Sequence, residues 1–200
     1  MSQGEERRLK AVVRGVKPLH SGFLSVNQYE LEVERHAGGT RLIKWEVMER
    51  GNAVAVLGYD PKRDEVVLAY ELRPGMLAAG EYPFSDNLVA GAIEPKEDAL
   101  EAAKREMLEE VGLALREPRI IHPGAYVSSG GTSEKIIIVL GFVDAAGAGG
   151  VHGNPHESED ILTVVQSANK FVERCLSGEI TDLKTLVAGY WLAQHRSELR

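Results

Sequence analysis

Two hundred residues, 44% of them hydrophobic, suffice to bury a sizeable core in one domain, or in one domain with a small appendage. A net charge of −7 without a basic cluster argues against a nucleic-acid binder, and no apolar run approaches the length of a membrane span. No charged-then-apolar leader opens the chain, and the single cysteine, Cys175, leaves no disulfide framework; a cytoplasmic protein is expected, with Cys175 a core thiol rather than a nucleophile.

In chain order, Leu9–Val16, Phe23–Glu34 and Thr40–Met48 are rich in β-formers, and His36-Ala37-Gly38-Gly39 predicts a hairpin between the last two. Three such strands make a sheet too small to stand alone, which predicts packing on the main domain or on a second subunit. Asn52–Gly58 and Glu65–Leu72 form a further hairpin around Asp60-Pro61-Lys62-Arg63-Asp64. Arg73–Asn87 contains Pro74, Gly75, Gly80 and Pro83 and reads as a long loop, of a length that goes with function more than with simple connection.

The stretch from Gly91 to Leu113 reads GAIEPKEDALEAAKREMLEEVGL. Asp98 can cap a helix start with Glu101 at the capping-box spacing, and Gly112 supplies the left-handed residue that ends helices. On the helix between them Leu100, Ala103, Met107 and Val111 form an apolar stripe, and Glu106 and Glu110 fall together along its edge. Like charges at i, i+4 repel, more so when half buried, so this pair calls for positive charge, for which a hard divalent cation is the natural candidate. Arg105 is expected on the other side, as an ion-pair ladder between Glu101 and Glu109.

Beyond it, Ile120–Val127 and Lys135–Val143 read as strands around Ser128–Glu134. Residues 145–160 read as a second long loop, Ile161–Val165 as a short strand, and Ala168–Leu176 and Asp182–His195 as amphipathic helices. His152 and His156 share that loop at a spacing of four; without cysteine or a third histidine nearby, exposed loop histidines are expected rather than a zinc site. Strands, one helix, strands, then helices predict an α/β sandwich with a mixed sheet between helices.

By position, the central segment is Gly91, five residues, Glu97, seven residues, Arg105-Glu106-Met107, one residue, Glu109-Glu110, one residue, Gly112-Leu113. It resembles the Nudix box of the Nudix hydrolases at every fixed position. The resemblance extends to Glu49-Arg50-Gly51-Asn52-Ala53, Glu71-Leu72-Arg73, Ser128–Glu134, and His152-Gly153 with Glu157-Ser158-Glu159-Asp160-Ile161, and is closest to the ADP-ribose and GDP-mannose pyrophosphatases. It implies a Nudix α/β/α sandwich with a mixed sheet over residues 49–200, behind a small N-terminal antiparallel β subdomain, residues 1–48, exchanged across a homodimer.

The resemblance further implies two or three Mg²⁺ ions, with Mn²⁺ as an alternative, held by the Ala90 carbonyl, Glu106, Glu110 and Glu159. Glu157 is the implied general base, with Arg105 and Glu109 in the catalytic group. Arg73 is implied at the diphosphate, Phe23 and Trp45 at the nucleobase, Glu134 at the terminal sugar, and Arg50 and Gly131 elsewhere along the substrate. Two residues depart from the pattern: many bacterial relatives carry arginine where Trp45 stands, and Ser129 replaces a usual proline. The implied reaction is metal-dependent cleavage of a nucleoside diphosphate sugar, ADP-ribose to AMP and ribose 5-phosphate, with GDP-mannose or another ADP-sugar as alternative. A non-catalytic nucleotide sensor is the reading of a different class, and the presence of Glu106, Glu109 and Glu110 speaks against it.

Overall fold

The computed structural model describes residues 8–154 and 158–199. They form two compact units: one is the chain up to Gly51 together with Tyr126–Glu134, the other Asn52–Ala125 with residues 135 onward.

In the first unit, β1 (Ala11–Ser21), β2 (Ser25–Glu34) and β3 (Thr40–Glu49) make an antiparallel sheet in that order. Gly38 and Gly39 turn β2 into β3 at φ 87° and 76°, a backbone that glycine adopts without a steric cost. Opposed pairs include Tyr29–Trp45 and Leu31–Ile43. β1 continues past Val16 through Pro18; proline is tolerated because β1 is an edge strand, and the register shifts between Val13 and Gly15 and between Pro18 and His20. Phe23, expected at the start of β2, instead lies in the bend between β1 and β2 and is 93% exposed. The segment 128–134 closes on β3: Met48 N donates to the Gly131 carbonyl at 2.9 Å and Ser133 N to the Met48 carbonyl at 3.2 Å. β1 is exposed along almost its whole length, including Val12, Val13, Val16 and Leu19.

The second unit contains β4 (Ala53–Asp60), β5 (Glu65–Leu72), α1 (Pro74–Ala78), β6 (Phe84–Asn87), β7 (Val89–Ala92), α2 (Ala99–Val111), β8 (Arg116–Tyr126), β9 (Lys135–Phe142), β10 (Val151–His152), β11 (Ile161–Ser167), α3 (Ala168–Ser177) and α4 (Leu183–His195). Its sheet runs β10-β11-β5-β4-β9-β8, with β6 paired to β5 and β7 to β4. β4 is parallel to β9 and antiparallel to β5 and β7, so the sheet is mixed. Buried throughout, β4 reads as a continuous apolar run and not as an alternation. Leu57, Tyr59, Val66 and Leu68 point to one face, under Phe171 and Cys175 of α3 and Ala188 and Leu192 of α4. Val56, Val67 and Ala69 point to the other, under Ala103, Met107 and Val111 of α2. The result is the expected α/β/α sandwich. The two long loops are more ordered than their composition suggests, since 73–87 holds α1 and β6, and β10 lies within 145–160.

Helix α2 starts and ends as its caps require. Asp98 accepts from Leu100 N and Glu101 N, and Gly112 sits at φ 69°. The reciprocal half of a capping box is replaced: the Glu101 carboxylate turns to Lys104 Nζ at 2.6 Å.

Helices α3 and α4 cross at Gly189, where a Cβ would stand 2.9 Å from the Cys175 Cβ and closer still to its Sγ. Overpacking of this kind costs about 1–3 kcal/mol, so Gly189→Ala should lower Tm by roughly 3–10 °C in a chain of this size. Adding Cys175→Ala should restore part of that loss; thermal melts of the single and double variants measure it.

Candidate active site

On α2, the stripe of Ala103, Met107 and Val111 is sunk into the core, which carries Glu106 and Glu110 inward with it; they are 7% and 3% exposed. Their neighbour is β7. A Cβ at Gly91 would collide with the Glu106 carboxylate, so only glycine lets that carboxylate lie over the strand. Ala90 N donates to Glu110 Oε2 at 3.3 Å. A strand residue's N–H and C=O leave the same edge, so the Ala90 carbonyl also faces the glutamate side.

Arg105 builds only half of the ladder anticipated for it: it meets Glu109, but Glu101 pairs with Lys104 instead. Its Nε and Nη2 grip both oxygens of Glu97 at 2.9 and 3.0 Å, and Nη2 also reaches the Ala92 carbonyl at 3.0 Å. That fork turns the guanidinium toward β7, where Nη1 donates to Glu106 Oε1 at 2.7 Å and to Glu109 Oε2 at 3.3 Å. The planar, multiply donating head favours this bidentate arrangement over a single helix-surface pair with Glu101. The Arg105 hydrogen bond holds Glu97 below the usual carboxylate range. Glu109 is exposed.

Burial, reinforced by Glu71, Glu106 and Glu159, pushes Glu110 up to about 9. Burial also raises Glu106 to about 7, with Glu109 and Glu159 adding to the rise and Arg105 opposing it. Glu71 is raised as well, by burial first, against the pull of Arg73. Sequence reasoning placed Glu71 in a shared segment without giving it a role; its alternation with Val67 and Ala69, which face α2, would have put it beside the box.

Arg73 is anchored close by. Its Nη2 meets Glu71 Oε1 at 2.7 Å, and its Nε lies 2.8 Å from the side-chain oxygen of Asn87 in the amide orientation that satisfies both groups. Glu159 is held by Asn154 N, which donates to its Oε2 at 2.8 Å. The same loop is tied to α2 through Gly153 N and the Glu109 carbonyl at 3.1 Å, and a Cβ at Gly153 would come within 2.7 Å of the Glu159 Cβ. The His152 ring packs over Gly112 and meets the Gly149 carbonyl at 3.0 Å. Glu157 and His156 lie outside the described residues.

The remaining sequence candidates belong to the first unit. Trp45 is half exposed and its indole N–H donates to the Gly130 carbonyl at 2.6 Å, which orders the ring beside Gly131. Glu49 accepts from Tyr29 Oη at 2.5 Å and from Ser133 Oγ. Arg50 stands 3.5 Å from Glu134, which is buried. Within one chain Phe23 and Trp45 do not face each other: Tyr29, opposite Trp45, is four residues from the hairpin end at Ser25, about 13 Å along the strand.

The donors gathered in the second unit are hard oxygens: the carboxylates of Glu106, Glu110 and Glu159 and the Ala90 carbonyl. They suit a hard divalent cation. Among the described residues no three acidic, imidazole or thiol side chains close a cage by themselves. An open oxygen set of this sort fits a hard divalent cation that keeps several waters in its shell.

The profile described as "NUDIX domain" matches residues 49–174. The chain belongs to the Nudix family. Two relatives are ADP-ribose pyrophosphatases. That of Escherichia coli (strain K12) is 35% identical over 183 residues, covering 91% of this chain and 87% of its own. That of Haemophilus influenzae is 30% identical over 193 residues, covering 94% and 88%. A GDP-mannose pyrophosphatase of Escherichia coli (strain SMS-3-5) is 28% identical over 184 residues, covering 90% and 93%. The crystal structure of an ADP compounds hydrolase shares the fold, with a TM-score of 0.69 at 20% identity over 93% of this chain and 96% of that one. Nudix hydrolases generally use divalent metal ions.

The acid cluster makes a stability prediction. Glu106 and Glu110 hold their protons more tightly when folded than when unfolded, so between about pH 4.5 and 9 the native state binds more protons and metal-free stability falls as pH rises. Glu110→Gln keeps an acceptor for Ala90 N and removes the charge. Metal-free melts from pH 5 to 9 should therefore show a flatter fall and, at pH 8, a Tm higher by about 3 °C or more, ~1 kcal/mol, in the variant. A wild type and variant with parallel profiles would remove the electrostatic account of this cluster.

Proposed function

We propose that this Nudix hydrolase cleaves the pyrophosphate bond of ADP-ribose to give AMP and ribose 5-phosphate. The observation that carries the reading is the pair Glu106–Glu110, buried beside the Ala90 carbonyl with Glu159 and Glu71 close by, in a chain whose 30% and 35% identical relatives are ADP-ribose pyrophosphatases. Glu106, Glu110, Glu159 and the Ala90 carbonyl are the residues that would hold two or three Mg²⁺ ions, or Mn²⁺ in their place. Metal ions bound there neutralise phosphoryl oxygens and acidify the attacking water. Arg105 fixes the Glu106 carboxylate, and Glu109 shares that guanidinium. Arg73, aimed by Glu71 and Asn87, grips the diphosphate, and Glu157 takes the proton from the attacking water.

Phe23 and Trp45 are assigned to the nucleobase, with Arg50, Gly131 and Glu134 along the rest of the substrate. A purine stacked on an aromatic ring gains about 1–3 kcal/mol with little regard to base identity. That tolerance, with the 28% identical GDP-mannose pyrophosphatase, supports GDP-mannose as the second reading. The rows of exposed apolar residues on β1 support a homodimer built through the N-terminal sheet, with Phe23 of one protomer and Trp45 of the other enclosing the base. No helix among the described residues is long and apolar enough to cross a membrane, and we place the enzyme in the cytoplasm.

A phosphate-release assay with a coupled phosphatase, run on ADP-ribose, GDP-mannose, NADH and dinucleoside polyphosphates with Mg²⁺ and with Mn²⁺, tests the reading. ADP-ribose should give the highest kcat/KM, and Glu110→Gln should lower kcat by at least about a hundredfold, because it removes charge that steadies the transition state. A preference for GDP-mannose would select the second reading; a variant within threefold of wild type would sink the metal assignment. Sedimentation at micromolar concentration should give about twice the 21.8 kDa chain mass, and a fully active monomer would refute the dimer.

A further inference from the structure

The acid cluster lies on the α2 face of the sheet. On the other face, between β6 and the end of α3, is a cleft of about 380 Å³ that shares only the buried Asn87, which aims Arg73, with the proposed chemistry. Strand pairing explains how it arises. Tyr70 follows Val66 and Leu68 toward the α3 and α4 side, whereas Glu71 follows Val67 and Ala69 toward α2. Asp86 is the cross-strand partner of Tyr70 and shares its face.

One wall of the cleft is aromatic. Tyr70 and Phe84 stack with centroids 6.0 Å apart, Tyr82 and Phe84 lie 5.9 Å apart, and Tyr82 and Phe84 are 69% and 41% exposed. The charged lining is Glu81, Asp86, Glu179 and Arg174, an excess of two negative charges. Arg174 is not available to an anion. Its Nη1 and Nη2 grip Asp86 at 2.5 and 2.8 Å, Nε holds Glu179 at 2.6 Å, and Nη1 also reaches Gln166 at 3.1 Å. The guanidinium therefore acts as a fixed brace for Asp86 and Glu179, which share its single positive charge, while Glu81 and the exposed ring of Tyr82 line the cleft outside that network.

We propose that this cleft binds small organic cations that carry an ammonium or guanidinium on an aliphatic stem. The stem lies along Tyr82 and Phe84, and the head is taken by the ring faces and Glu81 together, with the surplus charge of the Asp86–Arg174–Glu179 group behind them. A neutral apolar ligand would leave the surplus of two negative charges unbalanced, an anionic one would meet its repulsion, and a second copy of this chain would bring a further net charge of −7.

Agmatine, with a guanidinium and an ammonium on one short stem, is the probe. Calorimetry and saturation-transfer NMR are run with excess Mg²⁺, so that the acid cluster on the other face is not what is measured. Binding is expected in the millimolar range, with transfer strongest on the stem methylenes, and about fivefold weaker in both Tyr82→Ala and Glu81→Gln. Raising NaCl to about 0.5 M should weaken it severalfold. Both substituted residues are exposed and outside the acid cluster, so fold and hydrolysis should be unchanged in the variants. Absence of binding at about 10 mM probe, equal binding by the two variants and wild type, or 1-butanol binding as well as agmatine would each overturn the proposal.

Discussion

The constraint on which the second unit depends is the burial of two like charges on consecutive turns of α2. Glu106 and Glu110 are carried inward because Ala103, Met107 and Val111 must be. The carboxylates arrive in a place that resists them, and burial raises the proton affinity of both. Much of the surrounding sequence answers this difficulty. Gly91 omits the side chain that Glu106 would strike, Ala90 offers Glu110 its N–H, and Arg105 neutralises Glu106 from the solvent side. Glu97 is part of the same answer at one remove, since without its bidentate hold Arg105 would be free to leave for solvent.

How far this was legible depended on whether the signal was local. The caps Asp98 and Gly112, the apolar stripe and the inward glutamates follow from helix periodicity, and all are realised. The mixed sandwich followed from element order. What depended on partners distant in the chain was misread or missed. For Arg105 the helix wheel shows Glu109, which it does meet, and Glu101, which it does not, but it cannot show Glu97 or the Ala92 carbonyl. The content of 73–87 was hidden because β6 is four residues long and is ordered by pairing with β5, not by propensity. Phe23 read as strand because it adjoins one, although Gly22 before it favours a bend.

The first unit shows the same limit from another side. Its hairpin was announced by Gly38-Gly39, and its inability to stand alone by its length. Nothing local announced that 128–134 would join it, since those hydrogen bonds run from Met48 and Trp45 to residues more than eighty positions away. Held this way, the indole spends its one donor on the Gly130 carbonyl and keeps only its ring surface for other use. Recognition by surface alone distinguishes a flat ring from a sugar, but it reads little of the donor and acceptor pattern by which adenine and guanine differ.

Strand β5 serves both faces of the sheet. Its successive residues Tyr70 and Glu71 enter different chemical environments, the first an aromatic cleft and the second an acid cluster. Their separation is set by the sheet. Val66 and Leu68 are committed to the α3–α4 core and Val67 and Ala69 to the α2 core. A register slip of one residue would exchange the two faces for the whole strand, at the cost of every one of those buried contacts. The apolar residues of β5 thereby aim the polar ones at its end, with Arg73 next along the chain leaning on Glu71. The side chains that would do chemistry are placed by neighbours that do none.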